Sequence, residues 1–412
     1  MAKFNDLSVD LVYVIFSHLQ SDKLQLHWLA LSCRLFRDIS QRFMVRNASI
    51  SHSIRGSRTQ LFLRTLTERP DLVAHVHRLE LDLLREDVHW PEEQQTIHQL
   101  TRLLTNLREF CYLSSDYKVW HFSIPTPLKW RRTHAHDQVR RVDWHHNMTP
   151  WDLRKCMQLP RIESIYVREL VDPIKSFKIP ERIYKTSTLV ELRIGVPTAM
   201  NEKAFQPLGL LLNIPVRLKR ILFESHVWHN PIFNPAALMR LLHPVRDTLE
   251  ELRVDIWENR LDPFYQPADL SNFISLKKLA WPMRFLFGSK ADPLDHTEIN
   301  LPPNLNKLEM AYKSGELRFA EVLEAPTSKV YPTFINWLEA PGGQHDISTR
   351  MPLLTCITFM EHDGVGIFPD LNSTQLQELT ERSTSQNAGL PKGRPEFRFI
   401  SAPHSEGTLP SS

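Results

Sequence analysis

Nineteen histidines, four cysteines and many serines and acids are the side chains of this 412-residue sequence that could hold a metal or attack a substrate. Their spacing argues against both. The closest histidine groupings are His75-x-His77, His134-x-His136 and the adjacent His145–His146. None comes with a cysteine pair, and none has the HExxH spacing that sets two imidazoles on one helix face. Solvated or hydrogen-bonded histidines are the expectation, and no metal site is assigned. GxSxG, the turn that presents a serine nucleophile, is missing, and no triad order can be read. Gly364-Val365-Gly366 reads as a turn, and only 12 glycines leave little for phosphate-cradling loops. The sequence predicts no catalytic residue and no cofactor, hence a chain that acts by binding.

Composition narrows what it binds. Hydrophobic residues at 42% and charged residues at 24% are ordinary globular values, which excludes wholesale disorder. Fifty basic against 47 acidic side chains leave +3, too little to predict nucleic-acid binding without a concentrated basic face. Cys33, Cys111, Cys156 and Cys356 lie far apart, so reduced thiols are expected rather than a disulfide framework. The first apolar run, Leu11 to Phe16, is six residues long and follows Asp6 and Asp10, unlike a secretory signal. No segment approaches the roughly 18 apolar residues of a membrane span. Cytoplasm or nucleus, with no membrane and no nucleic-acid partner, is the expectation.

The binding chemistry must therefore be positioned by a repeated element. A six-residue pattern, apolar at positions 1, 4 and 6, starts at Val76, Leu107, Val139, Ile162, Leu189, Leu218, Leu249, Leu276 and Leu305, with a tenth copy at Leu354. The pattern alone is common by chance; its phasing, 23 to 32 residues between the first nine starts, is not. Positions 4 and 6 fit the inward face of a strand, and helix-like stretches precede several copies, as in EEQQTIHQLTRLLTN before Leu107 and NPAALMRLLHPVRDT before Leu249. Units of one strand plus one helix at this period resemble leucine-rich repeats. The resemblance implies an irregular α/β solenoid, a horseshoe, over residues 76–380. One departure is plain: the turn asparagine that such repeats place three residues after the last leucine occurs only at Asn147. Ser115, Leu170, Pro197, His226, Trp257 and Arg284 stand at the corresponding places.

Outward positions 3 and 5 should line the concave face. They read Arg141 and Asp143; Glu191 and Arg193; Arg220; Glu251 and Arg253, with Asp255 two further on; then Lys278, Lys307 and Glu309. Mixed charges at regular spacing either select a protein target by complementary charge or form a solvated face. Trp144 and Trp281 end strand patterns and are expected in the core, whereas Trp120, Trp130, Trp151 and Trp228 fall in loops, as recognition hot spots or as wedges between repeats. The 49 residues before Leu354 carry FAEVLEA, FINWLEA and PGGQ and read as a helix-bearing insertion. Residues 381–412 are expected to form a mostly flexible tail, with a last strand at 397–400.

Residues 4–46 read as three short helices. Asp6 or Ser8 caps the first, with Leu11, Val12, Ile15, Phe16 and Leu19 at helical spacing. Ser21 caps a second with Leu24, Trp28 and Leu31 on one face, and Leu35, Phe36, Ile39 and Phe43 mark a third. The unit is apolar nearly all round, which predicts two contact faces. Leu7, Asp10, Leu11, Ile15, Leu19, Leu24, Leu29, Leu31, Cys33, Arg34 and Phe36 match the positions of an F-box, so Phe4 to Phe43 resembles that family, with Ser8 where proline is usual. F-box proteins, fungal ones among them, often carry leucine-rich repeats. The resemblance implies docking on the SKP-type adaptor of a cullin–RING ubiquitin ligase through Leu7, Leu11, Ile15, Phe16, Leu19 and Leu24. It implies a non-catalytic substrate receptor of an SCF-type ligase, whose array binds a protein target. The alternative is a repeat scaffold unlinked to ubiquitination. The expected boundaries are a helical motif at 1–46, a connecting segment with a helix at 47–75, the array and the tail.

Overall fold

The computed structural model describes residues 7–51, 58–82, 90–113, 136–170, 177–195, 202–224, 235–255, 268–282, 300–313, 353–362 and 396–401. The chain is α/β and divides into two compact units, Met1–Val171 with Thr186–Leu189, and Asp172–Lys185 with Val190–Ser412. The first unit opens with helices α1 (Val9–His18), α2 (Lys23–Ser32) and α3 (Arg34–Arg46). Strand β1 (Asn47–Ser51), helix α4 (Arg58–Glu68), β2 (Arg78–Asp82), α5 (Trp90–Leu103), β3 (Glu109–Leu113), β4 (Arg141–Met148), α6 (Pro150–Met157) and β5 (Ser164–Leu170) follow. The second unit contains β6 (Glu191–Gly195), α7 (Glu202–Leu211), β7 (Arg220–Glu224), α8 (Pro235–Leu242), β8 (Glu251–Asp255), β9 (Lys278–Pro282), β10 (Lys307–Lys313), β11 (Cys356–His362) and β12 (Glu396–Ser401).

Within each unit every strand pairs in parallel with the next strand in sequence. All ten copies of the six-residue pattern become strands, and in each the third position is the first strand residue. The three apolar positions explain why. Val76, Leu79 and Leu81 of the first copy are fully buried, as are Leu249, Leu252 and Val254 of the seventh. Trp144 and Trp281, at position 6, are likewise inside, and Trp144 stacks on Tyr112 at a centroid distance of 4.5 Å. Position 1 lies two residues before the strand, so it points into the layer where the helices pack, while positions 4 and 6 share the inward strand face. The helices expected before Leu107 and Leu249 are α5 and α8, the latter continued by a 3-10 turn, His243–Val245.

Each unit has a strand beyond the pattern. Asn47–Ser51, expected to connect, is instead the strand β1, which buries Ala48 and Ile50 and pairs with β2. In its NASIS sequence Ile50 fills position 6 but position 4 is the small Ala48, so the pattern search passes over it. Strand β12 takes in the FRFI segment. The insertion before Leu354, the tail at 381–395 and 402–412, Gly364–Gly366, Phe4, His134 and the loop residues Trp120, Trp130 and Trp228 lie outside the described residues, as do Ser115, Pro197, His226, Trp257 and Arg284.

Two backbone devices hold adjacent strands in register. The carbonyl at position 2 accepts two N–H groups from the following copy: His77 O from Arg108 N and Glu109 N at 2.7 and 3.0 Å, Lys219 O from Glu250 N and Glu251 N at 2.8 and 2.9 Å. One residue before position 1, a short polar side chain bonds a backbone carbonyl of the preceding copy. Asn106 reaches Ala74 O, Thr188 Ile162 O, Thr248 Leu218 O, Ser275 Asp247 O and Asn304 Ile274 O, at 2.7 to 2.9 Å. This ladder stands in for the missing turn asparagines. Asn147 itself lies at a bulge in β4, where its carbonyl accepts from the Trp144 indole and its N–H donates to His146 Nδ1.

Thr248→Val, which keeps the shape and removes the hydroxyl, should cost about 1 kcal/mol of unfolding free energy in urea. Thr248→Ser should recover most of that loss. No loss in Thr248→Val together with a loss in Thr248→Ser would show that the methyl group, not the hydrogen bond to Leu218, matters.

Candidate functional site

Helix α1 starts at Ser8, whose Oγ accepts from Leu11 N at 3.3 Å, so the residue that replaces the usual proline serves as the N-cap. Asp10 in the first turn meets the positive end of the helix dipole. Helix α2 is capped by Asp22, not by Ser21, through Oδ1 to Gln25 N at 3.0 Å. The aspartate both caps and carries charge at the same end, which a serine cannot. Helix α3 begins at Cys33 without a side-chain cap.

The three helices close on a small core of Val12, Phe16, Leu26, Ile39 and Phe43, with Leu7, Ile15, Leu19, Leu29, Phe36 and Met44 packed around it. Phe16 meets Phe36 edge-on and Tyr13 stacks against Phe43. This geometry divides the six residues expected to meet an adaptor. Leu11 and Leu24 are open to solvent; Leu7, Ile15 and Leu19 are half-buried against the core. Phe16 is 1% exposed and is a core residue, so its assignment as a contact is corrected: the helical period that places it beside Ile15 turns it inward. The solvent face continues from Leu24 into residues outside that set. Leu24, Trp28 and Leu31 run along α2 at 65%, 62% and 65% exposure, and Val9, Val14 and Leu35 are exposed as well. An exposed apolar face is therefore present and is richer in α2 residues than the α1-weighted expectation. The i, i+4, i+7 spacing of Leu24, Trp28 and Leu31 was the sequence signal for it.

The charged strand face is the second candidate surface. In-register pairing sets position 3 of each strand beside position 3 of the next, and all eight expected target-binding residues sit in ion pairs on this lattice. Arg141 grips Asp143 at 2.9 Å, Arg220 reaches Glu191 at 2.8 Å and Arg193 meets Glu224 at 2.7 Å. Lys278 lies 3.5 Å from Glu251, and Arg253 bonds Asp255 at 2.7 Å with Glu309 at 3.8 Å. Burial lowers the Arg253 pKa, but the Asp255 hydrogen bond and the Asp255 and Glu309 charges outweigh it and hold the pKa above its ordinary value. Most of these side chains are a third to a half exposed, so each pair contributes at most about 1 kcal/mol.

The remaining chemical groups are placed for packing. Burial, then the Asp143 and Glu80 charges, pushes the Cys111 thiol up to about 12; burial does the same to Cys156, which leaves both poor nucleophiles. All four cysteines are free thiols. Among the described residues no group of three or more His, Cys, Asp or Glu is arranged to hold a metal ion. No described helix is long and apolar enough to cross a membrane. Trp151 is half-exposed under the Arg154 guanidinium, 5.0 Å from its ring. His75 and His77 precede β2, His145 packs on the Tyr166 ring at 4.6 Å, and His146 and His136 are buried. No family model matches this sequence, and no curated protein matches it either.

Burial, reinforced by the nearby His98 and opposed by Asp137, drives the His136 pKa down to about 4. The folded pKa lies below the unfolded value, so the stabilisation is complete above about pH 6.5 and is lost as pH falls toward 4. Urea unfolding at about pH 7 and about pH 4.5 should differ by about 2 kcal/mol from this group, and His136→Gln should remove that share. A second pair measures the three-helix unit: Phe16→Ala should cost about 3 kcal/mol or more, and Leu24→Ala about 0.5 kcal/mol, read by amide hydrogen exchange across α1.

Proposed function

We propose that this chain is the substrate-recognition subunit of an SCF-type ubiquitin ligase. In this reading residues 7–46 are an F-box that docks on the SKP-type adaptor, and the strands form a leucine-rich-repeat-like array that presents a protein target. The observation that carries the reading is the exposure of Leu11 on α1 and of the Leu24, Trp28 and Leu31 stripe on α2, on a unit that already has its own core. Burying an exposed leucine contributes about 1.5 to 3 kcal/mol, so a partner that covers four such side chains gains most of what a stable complex needs. The chain supplies proximity and the conjugating enzyme supplies the chemistry, in keeping with buried, high-pKa thiols that do no nucleophilic work.

Co-expression with an SKP-type adaptor, followed by size-exclusion chromatography with mass determination, tests the docking half. A 1:1 complex is expected, lost in Leu11→Asp/Leu24→Asp, which changes only solvent-facing positions and leaves the strand units folded by circular dichroism. Adaptor binding retained by that double variant would overturn the interface. A well-folded chain that never binds the adaptor would reduce the three helices to a cap on a repeat scaffold.

A further inference from the structure

A row of basic side chains in the first unit has no role in adaptor docking. The residues before its first four strands are Arg46, His77, Arg108 and Arg140, linked in order by backbone hydrogen bonds: His77 N to Arg46 O at 2.9 Å, Arg108 N to His77 O at 2.7 Å and Arg140 N to Arg108 O at 2.7 Å; Glu163, before the fifth, ends the row. The side chains therefore stand at strand spacing, about 4.8 Å apart. Arg42 on α3 and His75 before β2 join the row. The field of Arg108 and Arg46 reaches His77, and that of Arg42 and Arg46 reaches His75.

The nearby acids are occupied elsewhere. Asp71 is held by Arg69 through two hydrogen bonds of 2.9 Å, Asp38 lies 3.7 Å from the same guanidinium, and Glu163 closes the far end on Arg140 at 3.3 Å. Among the described residues no carboxylate lies within ion-pair distance of Arg42, Arg46 or Arg108, and Arg42 Nε is buried without a hydrogen-bond partner. The equivalent row of the second unit is arranged differently. There Glu250 sits between Lys219 at 2.7 Å and Lys277 at 3.1 Å, and the row neutralises itself. The uncompensated stretch from Arg46 to Arg108 is thus a property of this location and not of the repeat.

We propose that the row Arg46–His77–Arg108–Arg140, flanked by Arg42 and His75, is a docking surface for an acidic peptide segment of a partner protein. Carboxylates along an extended peptide recur at a spacing that cations 4.8 Å apart can follow with small adjustments of their long stems. Nucleic acid fits the surface less well. None of the six positions is Phe, Tyr or Trp, so single-stranded bases find no large ring to stack on, and six basic residues are a small footprint for a duplex. The two histidines add a sign. Burial first, then the arginine charges, lowers both pKa values below the ordinary histidine range in the free protein, with Asp71 opposing at His75. An acidic ligand reverses those fields, so it takes up protons on binding and binds more tightly as pH falls. The claim stands apart from the adaptor reading, because the surface shares no side chain with the exposed apolar stripe.

Fluorescence anisotropy of fluorescein-labelled decaglutamate with the full chain at low ionic strength tests it. Saturable binding is expected, with no binding of decaglutamine and severalfold tighter binding at about pH 6 than at about pH 7.5. Arg46→Gln/Arg108→Gln should weaken decaglutamate by about tenfold or more, while Lys178→Gln/Arg217→Gln, which removes the same charge from exposed sites of the second unit, should change it less than about twofold. Equal losses in the two double variants, no binding by the unmodified chain, or tighter binding of a thymidine decamer than of decaglutamate would overturn the proposal. The decaglutamine, thymidine and pH arms use the unmodified chain and stand even if a variant fails to fold.

Discussion

The constraint on which the rest depends is the in-register parallel pairing of consecutive strands. Parallel pairing by short crossovers sets the same pattern position of successive copies side by side. The apolar positions then stack into continuous buried columns, from Leu79 to Phe110 to Val142 in the first unit and from Leu192 to Ile221 to Leu252 to Leu279 in the second. The same rule governs the polar positions. It makes the short polar residue before each copy a staple to the preceding one, and it turns isolated charges into rows whose neighbours are fixed. A one-residue slip in any strand would exchange its buried and solvent faces, so each column enforces the register that every row needs.

The three-helix unit obeys another logic. About forty residues bury too little surface to be robust alone, and here only five side chains form the closed core. Sequence economy would place every remaining large apolar residue against that core. Instead Leu24, Trp28 and Leu31 occupy the α2 face that points away from it, while Leu26 on the opposite face is fully buried. An exposed stripe of this kind costs solubility and adds nothing to the isolated fold, which is what favours the proposed docking role.

How much of this was legible follows from what each feature depends on. The ten patterned strands were readable because burial at positions 1, 4 and 6 is written in residue type and repeats with a period. Strand β1 was not, because Ala48 and Ile50 are inward but Ala48 is too small to score. The three helices and their solvent face were readable from spacing, but which of Ile15 and Phe16 turns inward depends on how α1 sits on α3, a tertiary fact. The cap on α2 went to Asp22 over its neighbour Ser21 because two acceptable capping residues in a row leave the choice to the backbone. The polar ladder of Asn106, Thr188, Thr248, Ser275 and Asn304 was visible in principle, one residue before each apolar start, but its meaning required the facing carbonyls.

Charge pairing changes what the strand face can select. A lone surface arginine offers its full field to a partner, whereas Arg220 and Arg193 already share theirs with Glu191 and Glu224. A ligand carboxylate that engages either arginine must displace a carboxylate already in place, so the gain is the difference between two similar contacts and is small. Discrimination on such a face comes from partners that match the alternation and leave the resident pairs intact, and like charges set against it are penalised. In the row beside α3 only Arg140 has a resident carboxylate, Glu163; among the described residues Arg46 and Arg108 have none and keep their field for an incoming anion. Within one repeat architecture, affinity for acidic segments and selectivity by pattern are therefore assigned to different pattern positions, 2 for the former and 3 and 5 for the latter, and the strand register keeps them apart.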